Sequence, residues 1–307
     1  MNLHDVIIIG SGSAGLTAAL YAGRYRMDTL VFERMSPGGQ ILLSPSIDNY
    51  PGFPAGLGTE ELISRFRKQV EEVGIEILNK DVQDVKVSSD GFLVKTTDGD
   101  FKSRTVIVAT GAQPKRLDVE GELRLTGKGV SYCGTCDGPL FKEKDIVVIG
   151  GGDRAIEDAL FLAGYAKKVT IIHRRNELRA SMILVEKAKA NPKIHFSLES
   201  VVEEITGENK VEAVRIKNLK TLAESLIACQ GVFIFVGILP SADFVNNLLD
   251  RDEFGFIITD QEMRTSTGGI FACGDCRKKS LYQVITACSD GAIAADSAYK
   301  YIINKGR

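Results

Sequence analysis

The residues best suited to chemistry lie in the middle of the chain, at Cys133-Gly134-Thr135-Cys136-Asp137. Two cysteines separated by two residues can close a small disulfide ring, and the opened pair can pass two electrons by thiol–disulfide exchange. Asp137 follows directly, where it could give or take the proton that accompanies the electrons. The same spacing also suits half of a zinc site or a structural pair, so the flanking elements must decide.

A glycine-rich turn near the N-terminus predicts a dinucleotide-binding fold. The apolar run 6–9 is typical of a strand buried on both faces of a parallel sheet. It leads into Gly10-Ser11-Gly12-Ser13-Ala14-Gly15, which opens a helix predicted over 14–25 and would place backbone N–H groups and the helix dipole at a pyrophosphate. A second strand, 29–32, ends at Glu33, whose carboxylate could accept hydrogen bonds from a ribose diol.

The rest of this first fold is predicted from turn residues and alternation. A Gly- and Pro-rich loop, 37–54, is expected to serve a ligand. Thr59 is predicted to cap a helix over 60–73, and three strands in hairpin order follow at 82–87, 92–97 and 101–108. The last strand ends in Ala109-Thr110-Gly111-Ala112, small residues that would let the backbone lie against a cofactor.

The same plan recurs 140 residues later, since Gly10, Gly12 and Gly15 correspond to Gly150, Gly152 and Ala155. The strand 145–149 leads into Gly150-Gly151-Gly152-Asp153-Arg154-Ala155, and residue 173 follows residue 155 by the same eighteen positions that separate 15 and 33. Hairpin strands are predicted over 201–205, 211–216 and 232–236. This repetition favours two nucleotide domains on one chain.

The ribose position reverses its charge between the two folds. Glu33 in the first corresponds to His173-Arg174-Arg175 in the second, with Arg179 one helical turn further. An acid would repel a 2′-phosphate, whereas guanidinium groups bind it through charge-assisted hydrogen bonds. This contrast predicts FAD or NAD in the first fold and NADPH in the second. The alternative is a solvated cluster of arginines at the start of a helix.

Length and motif order predict a discontinuous α/β architecture. The 307 residues suit two Rossmann-like dinucleotide-binding domains, each with a three-stranded β-meander, the second inserted into the first. The predicted bounds are 1–114 with 242–307 for the FAD-binding domain and 115–241 for the NADPH-binding domain. In the returning segment, Gly274-Asp275 presents a carboxylate for a ribityl hydroxyl, and a helix is predicted over 286–303.

Composition excludes several partner classes. A net charge of −2 gives no sign of a nucleic-acid or membrane partner, and no apolar run approaches the roughly 20 residues that a membrane span needs. No signal peptide is apparent, and six cysteines are too few for a secreted disulfide scaffold. We therefore expect a cytoplasmic protein.

Together these motifs resemble the low-molecular-weight thioredoxin reductase family over essentially the whole chain. The resemblance implies an FAD-containing homodimer that reduces the disulfide of thioredoxin with NADPH, and that rotates its NADPH domain during turnover. It also implies that Cys136 is the thiol nearest the flavin, that Cys133 attacks the thioredoxin disulfide, and that Asp137 handles the proton. No metal is expected.

The resemblance implies two sets of cofactor contacts. Those for FAD are Gly10, Ser11, Gly12, Ser13, Ala14, Gly15, Glu33, Gly39, Gln40, Asn49, Val82, Ala109, Thr110, Gly111, Gly274, Asp275, Gln283 and Val284. Those for NADPH are Gly150, Gly152, Asp153, Arg154, Ala155, His173, Arg174, Arg175 and Arg179.

Three departures from the family pattern leave alternatives open. Asp153-Arg154 stand where Asn-Thr is usual, and Tyr282 stands where Arg is usual, which puts the electron donor in question. One alternative is therefore the same dithiol flavoenzyme with another donor such as ferredoxin. The other is a nucleotide- or redox-sensing flavoprotein without turnover.

A second C-x-x-C, Cys273 to Cys276, could be a redox relay or half of a metal site. Cysteines that replace small apolar residues are the favoured interpretation. Cys229 and Cys288 are predicted to lie in the core.

Overall fold

The computed structural model describes residues 2–43, 46–47, 50–53, 57–132, 134–245 and 247–305. The chain forms two compact units, Met1–Gln113 with Leu239–Arg307, and Pro114–Ile238. The predicted domain bounds lie one residue away at the first crossing and three residues away at the second.

Before the first crossing the chain forms strands and two longer helices. The strands are β1 (Leu3–Ile9), β2 (Thr29–Glu33), β3 (Ser46–Ile47), β4 (Leu57–Gly58), β5 (Ile77–Asn79), β6 (Val82–Ser88), β7 (Gly91–Thr96), β8 (Gly99–Val108) and β9 (Ala112–Pro114). The helices are α1 (Ser13–Arg24) and α2 (Thr59–Glu72). Thr59 is thus the first residue of α2, and Gly58 occupies the predicted cap position.

The second unit and the returning segment complete the list. The helices are α3 (Glu122–Leu125), α4 (Gly134–Asp137), α5 (Asp153–Ala163), α6 (Met182–Ala190) and α7 (Val284–Lys305). The strands are β10 (Val130–Ser131), β11 (Asp145–Ile149), β12 (Lys168–Ile172), β13 (Ile194–Ser197), β14 (Ser200–Thr206), β15 (Ala213–Asn218), β16 (Glu224–Ala228), β17 (Gly231–Ile234), β18 (Ile238–Pro240) and β19 (Ile270–Ala272).

The first unit is built on a parallel sheet in the order β5-β2-β1-β8-β19. The start of β8 also pairs antiparallel with β7, which pairs with β6, so one long strand joins sheet and meander. On β1, Val6 and Ile8 belong to the core cluster on the side of α1 and α7, whereas Ile7 and Ile9 belong to the opposite cluster. Burial of both faces explains the unbroken apolar run.

The second unit repeats this plan with the parallel order β10-β17-β11-β12-β13 and a separate antiparallel meander, β14-β15-β16. Ile146 and Val148 of β11 face the cluster that includes α5 and α6, and Val147 and Ile149 face the meander side. The predicted fold class, two Rossmann-like units each with a three-stranded meander, is confirmed.

One strand prediction was wrong. The segment 232–236 was expected to close the second meander, but β17 lies in the parallel sheet and β16 closes the meander. The chain changes sheets between two neighbours, because the Cys229 N–H donates to Glu212 O and the Gln230 N–H donates to Asp145 O. The outer strand β16 was missed because it is mostly exposed and lacks a clear apolar face.

Among the described residues, no helix combines the length and the apolar character that crossing a bilayer would require.

Helix α7 packs on α1 with almost no separation between the two backbones. A Cβ atom on Gly291 would lie only 2.1 Å from Ala14 O and 3.1 Å from Ala18 N. Ala14, Ala18 and Ala295 are all buried along this contact. The position of α1, and hence of the turn that precedes it, therefore depends on a glycine in α7.

We predict that Gly291→Ala destabilises the protein, although alanine favours a helix interior by about 1 kcal/mol over glycine. The new methyl group would meet the α1 backbone, and such overpacking costs about 1–3 kcal/mol, so thermal unfolding should begin several degrees lower. Asn304→Ala, at an exposed position of the same helix, is the control and should leave the melting temperature nearly unchanged. A higher melting temperature for Gly291→Ala would contradict the close-packing argument.

Candidate functional site

The turn between β1 and α1 leaves no room for side chains at two of its glycines. Gly10 has a φ of +100°, and a Cβ atom there would lie 2.5 Å from Ala109 O. A Cβ atom on Gly15 would lie 1.9 Å from Gly10 O. At Gly12, by contrast, the nearest described atom would be 3.7 Å away, so this part of the turn stays open to a ligand.

Glu33, at the end of β2, holds this turn. Its Oε2 accepts hydrogen bonds from Ser11 N at 2.9 Å and from Ser11 Oγ at 2.8 Å, and its Oε1 accepts one from Met35 N at 3.0 Å. A carboxylate offers about four acceptor positions, so capacity for a further donor remains.

Two other predicted segments meet the same turn. Residues 109–111 follow β8, which pairs with β1, and the buried Thr110 Oγ1 has no hydrogen-bond partner among the described residues. A Cβ atom on Gly274 would lie 2.7 Å from the Cβ of Ala14. The buried Oδ1 of Asp275 lies 3.0 Å from Lys279 Nζ, but without the geometry of a hydrogen bond.

The remaining predicted FAD contacts are more dispersed. Gly39 and Gln40 open the short 3-10 helix Gly39–Leu43, and Gly12 forms an isolated bridge with neighbouring Gly38. Gln283 and Val284 stand at the start of α7, and Val82 begins β6. The predicted contact at Asn49 lies outside the described residues.

The second glycine turn, between β11 and α5, has the same construction. Gly150 has a φ of +151°, and a Cβ atom there would lie 2.4 Å from Phe235 O and 2.7 Å from the Cβ of Ala155. A Cβ atom on Gly151 would lie 2.4 Å from His173 Nδ1, so the histidine ring packs directly on the turn. Gly152 has no described atom within 4 Å of its Cβ position.

Basic residues surround this second turn. His173 is buried and its Nε2 has no partner among the described residues; burial, followed by the nearby charge of Arg179, lowers the pKa of the ring. Arg174, Arg175 and Arg179 are exposed, and none of the three forms an ion pair with a described residue. The backbone N–H of Arg179 donates to Gly151 O at 2.6 Å, which keeps this loop beside the turn.

The two unusual residues of the second turn both have partners within the protein. Asp153 Oδ1 accepts a hydrogen bond from Ser181 N at 2.7 Å, next to the start of α6. Arg154 Nη2 donates to Tyr132 O at 3.4 Å, and its guanidinium group lies over the Phe235 ring.

The dithiol segment lies between β10 and the second glycine turn in sequence. Cys133 lies outside the described residues, and of Cys136 the structure describes the backbone, within α4. Asp137 is the last residue of α4 and precedes the 3-10 helix Gly138–Phe141.

The groups that anchor this segment leave no local pattern in the sequence. Tyr132 Oη donates to Glu122 Oε1 at 2.6 Å, and burial, together with this hydrogen bond, raises the pKa of Tyr132 to about 12. Glu122 is 1% exposed and also accepts hydrogen bonds from the backbone of Leu117 and Asp118. The only signal for Tyr132 was its position before Cys133, and the sequence held no signal for Glu122.

Asp158 on α5 was missed as well. Burial raises the pKa of its carboxyl group to about 6, although Arg154 acts in the opposite direction. Its side chain is only 15% exposed, whereas carboxylates usually lie on the surface.

The second C-x-x-C motif is built for packing. Cys273 and Cys276 are both fully buried and free, and Cys276 Sγ donates to Cys273 O at 3.2 Å and Val108 O at 3.4 Å. Burial raises the pKa of Cys276 to about 11 and that of Cys273 well above its ordinary value. No cluster of possible metal ligands includes either among the described residues. Cys229 and Cys288 are buried too, as predicted.

Comparison with known proteins agrees with this geometry. Residues 4–291 match the model of the pyridine nucleotide-disulphide oxidoreductase family. A thioredoxin reductase of Peptoclostridium litorale is 47% identical over 98% of both chains. The crystal structure of Lactococcus lactis thioredoxin reductase, 44% identical, superposes with a TM-score of 0.91 over 98% of this chain and 99% of that one.

A ferredoxin-flavin thioredoxin reductase from Clostridium acetobutylicum is more distant, with 29% identity and a TM-score of 0.56 over 100% of this chain and 99% of that one. The repeated glycine turns, the parallel sheets and these full-length matches lead to one conclusion. The chain belongs to the pyridine nucleotide-disulphide oxidoreductase family and, within it, to the thioredoxin reductases.

Proposed function

We propose that the protein transfers two electrons from NADPH, through a bound FAD and the Cys133–Cys136 dithiol, to the disulfide of thioredoxin. The observation that carries the proposal is that the second unit combines a dithiol segment with a basic glycine turn. The same unit holds the C-x-x-C segment and a glycine turn beside three guanidinium groups that have no anionic partner among the described residues. The full-length matches to thioredoxin reductases support the choice of acceptor.

The first unit fits FAD. Gly12 leaves an open approach to the N-terminus of α1, where backbone N–H groups favour a pyrophosphate. Thr110 Oγ1 and Asp275 Oδ1 are buried polar atoms that lack hydrogen bonds, and a bound dinucleotide would supply polar groups to both. When bound, the flavin supplies the ability to accept a hydride and to pass electrons on to a disulfide.

The second unit fits NADPH. Gly152 leaves the turn open, and His173 Nε2 lacks a partner among the described residues. Arg174 and Arg175 follow the end of β12, and the backbone of Arg179 is hydrogen-bonded to the turn at Gly151. Three nearby cations without counter-charges repel one another, and a 2′-phosphate would relieve that repulsion. The Asp153 carboxylate accepts a hydrogen bond from Ser181 N, so this acid has a structural role within the protein.

The dithiol performs the last transfer. In the reduced pair, the thiolate of Cys133 attacks one sulfur of the thioredoxin disulfide and forms a mixed disulfide. Cys136 then attacks that bond, so the Cys133–Cys136 disulfide forms and thioredoxin leaves with two electrons and two protons. Asp137, directly after Cys136, is the proposed donor of the proton that the leaving thiolate needs.

Ferredoxin is the competing electron donor. It would need neither a 2′-phosphate site nor free guanidinium groups beside the second turn. The basic cluster therefore favours NADPH, and the two donors can be compared directly by the bleaching of the flavin absorbance under anaerobic conditions. Bleaching by reduced ferredoxin but not by NADPH would overturn the donor assignment.

We predict that Arg174→Ala/Arg175→Ala raises the KM for NADPH by about a hundredfold or more and changes that for NADH far less. Each lost charge-assisted hydrogen bond costs about 1.5–3 kcal/mol, and about 1.4 kcal/mol corresponds to a factor of ten. Lys187→Ala/Lys189→Ala, which removes the same charge from exposed positions on α6, is the matched control. Equal losses with both nucleotides would defeat the 2′-phosphate assignment.

We predict that Cys136→Ser abolishes thioredoxin reduction but leaves the NADPH-dependent bleaching of the flavin intact, since only the electron path beyond the flavin is cut. Cys276→Ala removes a cysteine from the buried second motif and should keep thioredoxin reduction. Both variants are assayed anaerobically by flavin absorbance and aerobically by thioredoxin turnover. Normal turnover in Cys136→Ser would exclude the dithiol from the reaction.

The predicted homodimer has support on the first unit. Helices α1, α2 and α7 border a cavity of about 320 Å³ lined by Leu16, Leu20, Phe66 and Ile285 among others, and Ile285 is 41% exposed. Exposed apolar surface of this kind marks interaction sites. Sedimentation velocity should therefore give twice the chain mass, whereas a monomer at micromolar concentration would contradict the prediction. The cytoplasmic location remains a prediction from cysteine usage.

A further inference from the structure

A carboxyl group lies directly against the dithiol turn. Helix α4 packs on α5, and a Cβ atom on the buried Gly134 would lie 2.6 Å from Asp158 Oδ1 and 3.1 Å from its Cγ. Gly134 is bonded to Cys133 and opens the helical turn that also contains Cys136. The Asp158 carboxyl group therefore contacts the backbone of the C-x-x-C segment itself.

Arg154 contacts the residue that precedes Cys133 in the chain. Its Nη2 donates to Tyr132 O at 3.4 Å, and its Nε lies 3.8 Å from Asp158 Oδ2 one helical turn along α5. Tyr132 is fixed in turn by its hydrogen bond to the buried Glu122. The two residues that flank Cys133 in sequence are thus contacted by the two members of one ion pair.

The charge on Asp158 changes within the range of ordinary assay conditions. Burial raises the pKa of this carboxyl group from 3.8 to about 6, the positive charge of Arg154 lowers it, and the negative charge of Glu157 raises it. Helix α4 contributes one further titratable side chain whose position the structure describes, that of Asp137. Asp158 is therefore mostly protonated below about pH 6 and mostly charged at neutral pH.

We propose that Asp158 is a positioning residue for the dithiol, and that its charge sets how readily the reduced C-x-x-C segment forms a thiolate. A carboxylate beside the segment opposes a second negative charge, whereas a neutral carboxyl group does not. Arg154 keeps the carboxyl in place and holds Tyr132. This inference rests on the proposed redox role of Cys133 and Cys136, and it accounts for Arg154, which departs from the family pattern.

The test measures thiol reactivity of the full-length reduced protein. Iodoacetamide labelling is followed from pH 5 to pH 9, with peptide mass spectrometry to separate Cys133 and Cys136 from the buried cysteines. Asp158→Asn should move the midpoint of labelling to lower pH, with a rate at pH 7 about threefold or more above that of the unmodified chain. Its profile should also narrow, because the coupled titration of the carboxyl and the thiol is lost.

Glu157→Gln is the matched control, since it removes one negative charge from the adjacent exposed position of α5. Its solvent-screened charge should change the labelling rate by less than about twofold. If Asp158→Asn folds poorly, Asp158→Ser takes its place. This side chain is neutral and smaller, and the variant should also move the midpoint of labelling to lower pH. Far-UV circular dichroism and thermal unfolding monitor the fold of each variant.

The pH dependence of stability provides a second readout. Because the pKa of Asp158 is raised in the folded state, its contribution to stability is complete below about pH 4 and is lost as the pH rises to about 6. Asp158→Asn should lack this loss. Labelling profiles of Asp158→Asn and Asp158→Ser that coincide with the unmodified chain, or an equal shift in Glu157→Gln, would overturn the inference. Failure of the unmodified chain to reduce thioredoxin would instead refute the proposed function, and the labelling shift would still report on Asp158.

Discussion

Both units depend on a close approach between the start of a helix and the end of the strand before it. In the first unit a Cβ atom on Gly15 would lie 1.9 Å from Gly10 O, and in the second a Cβ atom on Gly150 would lie 2.7 Å from the Cβ of Ala155 in α5. Only glycine can adopt the conformation of Gly10 or Gly150 without strain in so little space. The gain is functional, because a helix held this close exposes its first N–H groups to a ligand at the strand end.

A residue at the end of the next strand holds each turn in place. Glu33 accepts two hydrogen bonds from Ser11, and the His173 ring packs where a side chain at position 151 would otherwise stand. The two residues therefore perform the same structural task with opposite chemistry. Glu33 keeps acceptor capacity that suits the hydroxyl groups of the proposed FAD, whereas the arginines that follow His173 provide the positive charge that suits the proposed 2′-phosphate.

The sequence could predict features that leave a local pattern of residues, but not contacts between separate elements. The strand Asp145–Ile149 was predicted with the observed bounds, because burial on both faces leaves an unmistakable apolar run. Strand β1 starts three residues before the predicted run, since its first three residues are partly exposed and two of them, His4 and Asp5, are polar. The turn residues were predictable because parallel topology brings strand ends together. The contacts of Glu122 and Asp158 were not, because they join separate elements and leave no local pattern.

The chain also shows that cysteine spacing alone does not specify redox chemistry. Cys273 and Cys276 have the same separation as Cys133 and Cys136, but they lie in the core and their sulfurs have no access to solvent. Burial raises the pKa of both thiols by more than the nearby positive charge of Lys279 lowers it, so they stay protonated and unreactive. The other pair flanks a glycine that touches a titrating carboxyl group, with an arginine bound to the preceding residue. The spacing of two cysteines permits a disulfide in either motif, and in our proposal the charges beside Gly134 control how readily the first pair forms the reactive thiolate.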